Sequence, residues 1–164
     1  GLGNSIRSGG YSCFIGSGFH NEIADSPDCV LIGGYQNSIL TNSSASTLGG
    51  GNGNSIGPTA PYSFLGGGQD NHIGSNATRS VIAGGWGNHM GPALSYTVIG
   101  GGALNTASGT SAVVAGGYHN LAAANDSTVG GVLLCCDRPY SCKSRSVGFI
   151  VTTPSAFNCG SSPK

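Results

Sequence analysis

The chain has 164 residues, 31 of them glycine, with only 7% charged residues and a formal net charge of zero at neutral pH. That length allows one domain; glycine without a three-residue period excludes collagen, and regularly spaced Val, Ile, Leu and Phe argue against a disordered chain. No apolar run approaches the roughly 18 residues of a membrane helix and no 3.6-residue period occurs, so membrane insertion and helical folds give way to β-structure with glycine at tight corners.

The N-terminus enters a repeat halfway through. Gly1 is preceded by neither a methionine nor a leader, which reads as a mature or trimmed form. Asn4 is already in phase with a unit that recurs seven times from Phe14 onward. The plainest copies, 17 residues each, are 47–63 (TLGGGNGNSIGPTAPYS), 64–80 (FLGGGQDNHIGSNATRS) and 81–97 (VIAGGWGNHMGPALSYT). Numbered from the first apolar residue of each unit, position 5 is always glycine: Gly18, Gly34, Gly51, Gly68, Gly85, Gly102 and Gly117. Position 8 is always asparagine: Asn21, Asn37, Asn54, Asn71, Asn88, Asn105 and Asn120, with Asn4 ahead of them. A period this short means that each unit buries its apolar face only by stacking on its neighbours. The predicted fold is all-β, a parallel β-solenoid (β-roll) of about eight short coils over residues 1–128. At the usual strand spacing its spine is roughly 35 to 40 Å long. A disulfide-rich cap is expected over residues 129–164.

In the first coils, Cys13 and Cys29 each directly precede a position-1 residue and so stack one above the other. Their expected separation lies within disulfide range, which predicts a staple. Positions 1 and 2 are an apolar pair from Phe14 and Ile15 to Val113 and Val114, with Thr47 the one lapse. Successive strand residues point to opposite faces, so one row faces inward and the other outward. The outward row calls for a cover, either a second chain or a coil flattened enough to hold both rows inside. A third apolar row runs through position 10, from Ile6 and Ile23 to Ala107 and Ala122. The position-5 glycine suits a positive φ or a close backbone approach. The position-8 asparagine suits a left-handed corner, and eight stacked amides would form a hydrogen-bonded ladder. Position 17, with Ser46, Ser63, Ser80 and Thr97, reads as an outward polar file.

Three sequons begin at Asn42, Asn76 and Asn125, all at position 13, where a polar turn leaves room for a covalent N-glycan. No position-8 asparagine starts a sequon, because the residue two places on is the apolar one of position 10. His72 and His89 share position 9 in neighbouring coils, but two ligands alone make a weak metal site and they read as surface residues. Asp25, Asp28, Asp70 and Asp126 occupy four different positions and Glu22 is the single glutamate, so no carboxylate pair for glycoside chemistry is assembled. The GGG runs lack the lysine and the strand-to-helix setting of a phosphate loop. No catalytic residue, cofactor or metal site is expected, and without a basic stripe no nucleic-acid partner. Ice binding by a flat ordered face is a third reading, weakened because the position-17 hydroxyls run in single file.

The stretches VIGGGALNTASGTSAVVAGGYHN (98–120) and FLGGGQDNHIGSNATRSVIAGG (64–85) resemble the GGG-x-x-N-x-A-S-G repeats in the heads of trimeric autotransporter adhesins and in some phage and viral tail-fibre proteins. The resemblance covers residues 1 to about 128. It implies a left-handed parallel β-roll, often a homotrimer, that serves as an extracellular stalk or adhesive head without catalytic residues of its own. The cysteines depart from those families, as does the lack of a coiled-coil stalk or chaperone domain in this chain.

After Val129 the period dissolves. Cys135, Cys136, Cys142 and Cys159 are expected to pair among themselves in the cap, in any of three connectivities. A metal site is the rival, although C-x5-C beside a vicinal CC is not a familiar zinc spacing. Six cysteines favour an oxidising, extracytoplasmic setting. Residues 1–128 hold five acids against Arg7 and Arg79, a balance of −3, while residues 129–164 hold Arg138, Lys143, Arg145 and Lys164 against Asp137, a balance of +3. The run 147–153, with Val147, Phe149, Ile150 and Val151, is the strongest β-former of the tail and reads as an assembly strand. Unlike ends that attract predict a head-to-tail homopolymer: the structural subunit of an extracellular, glycosylated fibre at a cell or virion surface. The alternative is a trimeric adhesin or fibre-tip module that binds a receptor or glycan.

Overall fold

The computed structural model describes residues 1–131 together with the backbone of two short strands, Leu134–Cys136 and Cys142–Ser144. Every regular element in the described residues is a strand. Ser5–Ile6, Glu22–Ile23, Ser38–Ile39, Ser55–Ile56, His72–Ile73, His89–Met90, Thr106–Ala107 and Leu121–Ala122 form one eight-stranded parallel sheet, built from positions 9 and 10. Phe14–Ile15, Val30–Leu31, Thr47–Leu48, Phe64–Leu65, Val81–Ile82, Val98–Ile99, Val113–Val114 and Thr128–Val129 form the second, from positions 1 and 2. The two sheets alternate along the chain, so each coil adds one strand to each, and the fold is a parallel β-solenoid with repeats of about 17 residues. Register is like on like: Val81 pairs with Phe64 and Val98, and Ile82 with Leu65 and Ile99. Every strand of the two long sheets is two residues long, and in the second sheet the chain turns at the position-5 glycine three residues on.

The core is the set of inward rows. Ile23, Ile39, Ile56, Ile73 and Met90 from position 10 pack with Leu31, Leu48, Leu65, Ile82 and Ile99 from position 2, all fully buried. Each such side chain contributes about 1.5–3 kcal/mol of burial. The units that start at Val98 and Val113 have only 15 residues, and there the position-10 residue shrinks to Ala107 and Ala122. A shorter perimeter encloses less volume, and the side chain inside is smaller to match. Position 1 faces outward, with Phe14 and Phe64 56% and 43% exposed, so the coil is not flattened around both rows.

The corners differ in part from expectation. Position-5 glycines have φ between 85° and 104°. The next left-handed residue is position 7, where His20, Gln36, Gly53, Asp70, Gly87, Leu104 and His119 have φ from 53° to 65°. None of the eight asparagines has a positive φ, so the chain turns one residue earlier than predicted. The asparagine side chain is needed inside. In the 17-residue units the third side turns twice, at position 13 (Asn42, Thr59, Asn76, Ala93) and position 16 (Ala45, Tyr62, Arg79, Tyr96), all with positive φ.

Candidate functional site

The interior is lined by a ladder of amides. Asn71 shows the pattern: its backbone N–H and its Nδ2 both donate to Asn54 Oδ1, at 3.0 and 3.1 Å, and Nδ2 also reaches the carbonyls of Gly67 at 2.9 Å and Gly85 at 2.8 Å. The backbone N–H step recurs from Asn4 to Asn120. Each asparagine thus supplies the acceptor for the next coil's position-8 N–H while tying down the carbonyls of the glycine corner. The amide suits this because it carries an acceptor oxygen and two donor hydrogens on one short side chain. Among the described residues every buried side-chain nitrogen and oxygen has a partner.

A second ladder overturns the outward placing of position 17. Ser46, Ser63, Ser80 and Thr97 are buried, at 2% exposure or less. Ser63 N–H donates to Ser46 Oγ at 3.1 Å, and Ser63 Oγ donates to Ala77 O at 3.0 Å. A hydroxyl serves here because it can accept an N–H of the following coil and donate to a carbonyl of that same coil. Cys13 and Cys29 occupy the same file. Cys29 N–H donates to Cys13 Sγ at 3.3 Å, while the two sulfurs donate to Ser26 O at 2.9 Å and Ser43 O at 3.3 Å. They are free thiols, not the predicted staple, because each sulfur is turned to the carbonyl of its following coil as a serine hydroxyl would be. Burial above all pushes the Cys29 thiol up to about 11.

Asn42 and Asn76 are exposed at the position-13 corner. Asn125 is exposed too but belongs to another file. Asp126 N–H donates to Thr110 O as Tyr96 N–H donates to Thr78 O, so Thr110 and Asn125 continue position 15. The two residues missing from the last units are those of the position-13 turn. Thr110 N–H also donates to Asn125 Oδ1 at 2.9 Å. Of the tail, Leu134–Cys136 pairs antiparallel with Cys142–Ser144, setting the backbone of Cys136 opposite Cys142. The cap disulfides, Cys159 and the strand with Val147, Phe149, Ile150 and Val151 lie outside the described residues.

The outer surface carries the remaining chemistry in files. His72 and His89 stack with ring centroids 5.3 Å apart and 27° between planes. Burial, and then the neighbouring ring, lower the His72 pKa below its ordinary 6.5. At position 16 the Arg79 guanidinium lies 5.2 Å from the Tyr62 ring centroid and 5.7 Å from that of Tyr96. Arg7 pairs with Glu22, and Asp25 accepts from Ser8 Oγ and Gly9 N–H, so part of the acidic end is satisfied internally. Among the described residues no group of three or more His, Cys, Asp or Glu side chains is placed to hold a metal ion, and no helix is long and apolar enough to cross a membrane. One file escaped the sequence reading: position 6, with Phe19, Tyr35, Trp86 and Tyr118 exposed on a continuous ladder of parallel bridges. That column of the repeat is visible once the units are aligned, although Asn52, Gln69 and Ala103 interrupt its aromatic character.

Fold and files together define a β-solenoid repeat protein. No protein-family model and no curated protein matches the chain.

Proposed function

We propose that this chain is a structural subunit of an extracellular fibre, a rod whose interior maintains its shape and whose surface makes its contacts. The observation that carries this reading is the uninterrupted interior ladder. Eight stacked asparagines and two eight-stranded sheets run the length of the solenoid with every buried polar side-chain atom of the described residues satisfied. Such a coil is stiff and has cohesion at every rung. Head-to-tail addition is the mode of assembly we favour. Each coil already adds its strands to the one before in like register, Val81 on Phe64 and Val98 on Val81, and a second copy would continue that same parallel pairing. Glycans on Asn42 and Asn76 suit a coated edge, since both side chains are exposed at a corner.

A second reading, a trimeric adhesin-like module, draws on the outward apolar row of Phe14, Val30, Phe64, Val81, Val98 and Val113, which association with other copies would cover. Negative-stain microscopy together with mass measurement over a dilution series separates the two. Filaments, or a mass that grows with concentration, are expected. A constant mass of three chains supports the second reading, and a monomer at every concentration overturns both. Glycopeptide mass spectrometry of native material tests Asn42 and Asn76 directly.

A further inference from the structure

All nine Phe, Tyr and Trp side chains among the described residues are 42% to 74% exposed, and the buried core contains no aromatic ring. This inverts the usual use of such residues, whose large apolar surface is worth most inside. Four of them share one file at position 6: Phe19 (52%), Tyr35 (46%), Trp86 (48%) and Tyr118 (42%). The backbone of that file is bridged from coil to coil, Phe19 to Tyr35 to Asn52 to Gln69 to Trp86 to Ala103 to Tyr118, so the rings stand on a rigid line.

The surroundings of the file narrow the occupant. On one side run the position-5 glycines, exposed from Gly34 to Gly117, a strip without side chains. On the other side project the left-handed position-7 residues, among them His20, Gln36, Asp70 and His119. The two files hold one formal charge at neutral pH, Asp70, which disfavours a polyanion such as nucleic acid or an acidic polysaccharide. Asn52 and Gln69 interleave amides between the rings, which disfavours a lipid surface. An added peptide strand finds no free main-chain edge in mid-file, because each position-6 residue from Tyr35 to Ala103 is already bridged on both sides.

We propose that the position-6 file binds an extended, neutral, β-linked polysaccharide lying along the solenoid axis. Rings at multiples of the roughly 4.8 Å coil spacing meet a ligand whose sugars each advance by a similar length. The electron-rich ring faces take the polarised C–H groups of the sugar faces. Asn52, Gln69 and the position-7 side chains exchange hydrogen bonds with the hydroxyls. Weak contacts repeated along one rigid line add as linked sites do. This assignment goes beyond the fibre reading and holds whether or not the chain polymerises.

Trp86 is the only tryptophan of the chain and sits within the file between Tyr35 and Tyr118, so its emission reports occupancy. The full chain is titrated with cellohexaose, xylohexaose, chitohexaose and laminarihexaose. A saturable change in emission is expected with at least one of them. Tyr35→Ala and Tyr118→Ala each weaken that binding about tenfold without lowering the melting temperature, one lost stacking contact being worth about that factor. Tyr62→Ala, an exposed tyrosine on another corner, leaves it unchanged. The proposal is overturned by no saturable response to any of the four, by equal weakening from Tyr62→Ala, by an unaltered affinity in the Tyr35→Ala and Tyr118→Ala double variant, or by binding confined to polygalacturonate or anionic vesicles.

Discussion

Two corners of the coil, two residues apart, hold the backbone at positive φ and place opposite demands on the residue there. Position 5 has φ near 90° in every coil and is always glycine. Position 7 has φ from 53° to 65° and is histidine, glutamine, glycine, aspartate, glycine, leucine and histidine in turn. A positive φ alone therefore does not require glycine; an ordinary L-residue enters the left-handed well for about 1–2 kcal/mol. Besides φ, the neighbour differs. A Cβ on Gly68 would stand 2.0 Å from the carbonyl oxygen of Gly85 in the next coil, whereas a Cβ on Gly87 would meet the tip of the Leu104 side chain at 2.8 Å. Backbone cannot move without parting the coils, while a leucine tip can swing aside.

The strongest test is to break the position-5 contact. Gly68→Ala combines left-handed strain with overpacking against backbone, and a loss of about 4 kcal/mol is expected in a denaturant melt. A loss below about 1 kcal/mol would show that the coils part easily and that close approach is not what demands glycine. Next in size is Asn71→Ala, which removes the amide that donates to Gly67 O and Gly85 O and the acceptor for Asn88 N–H. The buried Gly67 carbonyl and Asn88 N–H lose this partner, while Gly85 O keeps the N–H of Gln69, at an expected cost of about 3 kcal/mol. Hydrogen exchange should locate the damage at coils 64–97 rather than over the whole rod, since repeats couple mainly to their neighbours.

These two sites also mark what could be read in advance. The inward rows of positions 2 and 10 and the asparagine ladder were legible because their residue types are nearly invariant within the chain, and a column of Ile, Leu or Asn held at one position coil after coil marks a row with a single fixed environment. Position 7 was not, since its seven residues share a φ and nothing chemical. Position 17 misled for a different reason. Ser63 and Ser80 look like surface residues, but their hydroxyls replace backbone acceptors inside the coil, a role that only the hydrogen-bond partners disclose. Asn125 was misfiled because counting from the start of a unit ignores the two residues dropped from the final turns. The backbone bond from Asp126 N–H to Thr110 O restores the alignment.

Position 9 extends the contrast at lower energy. Its side chains are Glu22, Ser38, Ser55, His72, His89, Thr106 and Leu121, as varied as those of position 7, and the outward setting tolerates them all at neutral pH. Two stacked imidazoles are the exception in acid. The His72 pKa is lowered in the folded chain, so the fold favours the neutral ring; that contribution is whole above the ordinary value of 6.5 and is lost as the pH falls below it. Between pH 6.5 and about 5 the melting temperature should fall by about 1 °C more in the native chain than in His89→Ser, a small effect because the pair is partly solvated. Parallel pH profiles of the two proteins would refute the coupling.

The smallest expected effect is the most discriminating. Gly87→Asn places a side chain at position 7, where φ is 62° and the only close neighbour is Leu104, its Cδ2 foremost. Asparagine enters the left-handed region more readily than other side-chain-bearing residues. Replacing glycine also removes freedom from the unfolded chain, worth about 0.4–1 kcal/mol in favour of the fold. Strain and entropy nearly cancel, and the melting free energy should stay within about 0.5 kcal/mol of the native value. Gly85→Asn, two residues earlier in the same coil, would set its Cβ 2.0 Å from Gly102 O and should cost as much as Gly68→Ala. Measured side by side, the pair holds residue type and coil constant and varies what lies opposite together with φ, 104° at Gly85 against 62° at Gly87. Equal losses would mean that φ, not the backbone of the next coil, decides where glycine is required, and the distinction between the two corners would fall.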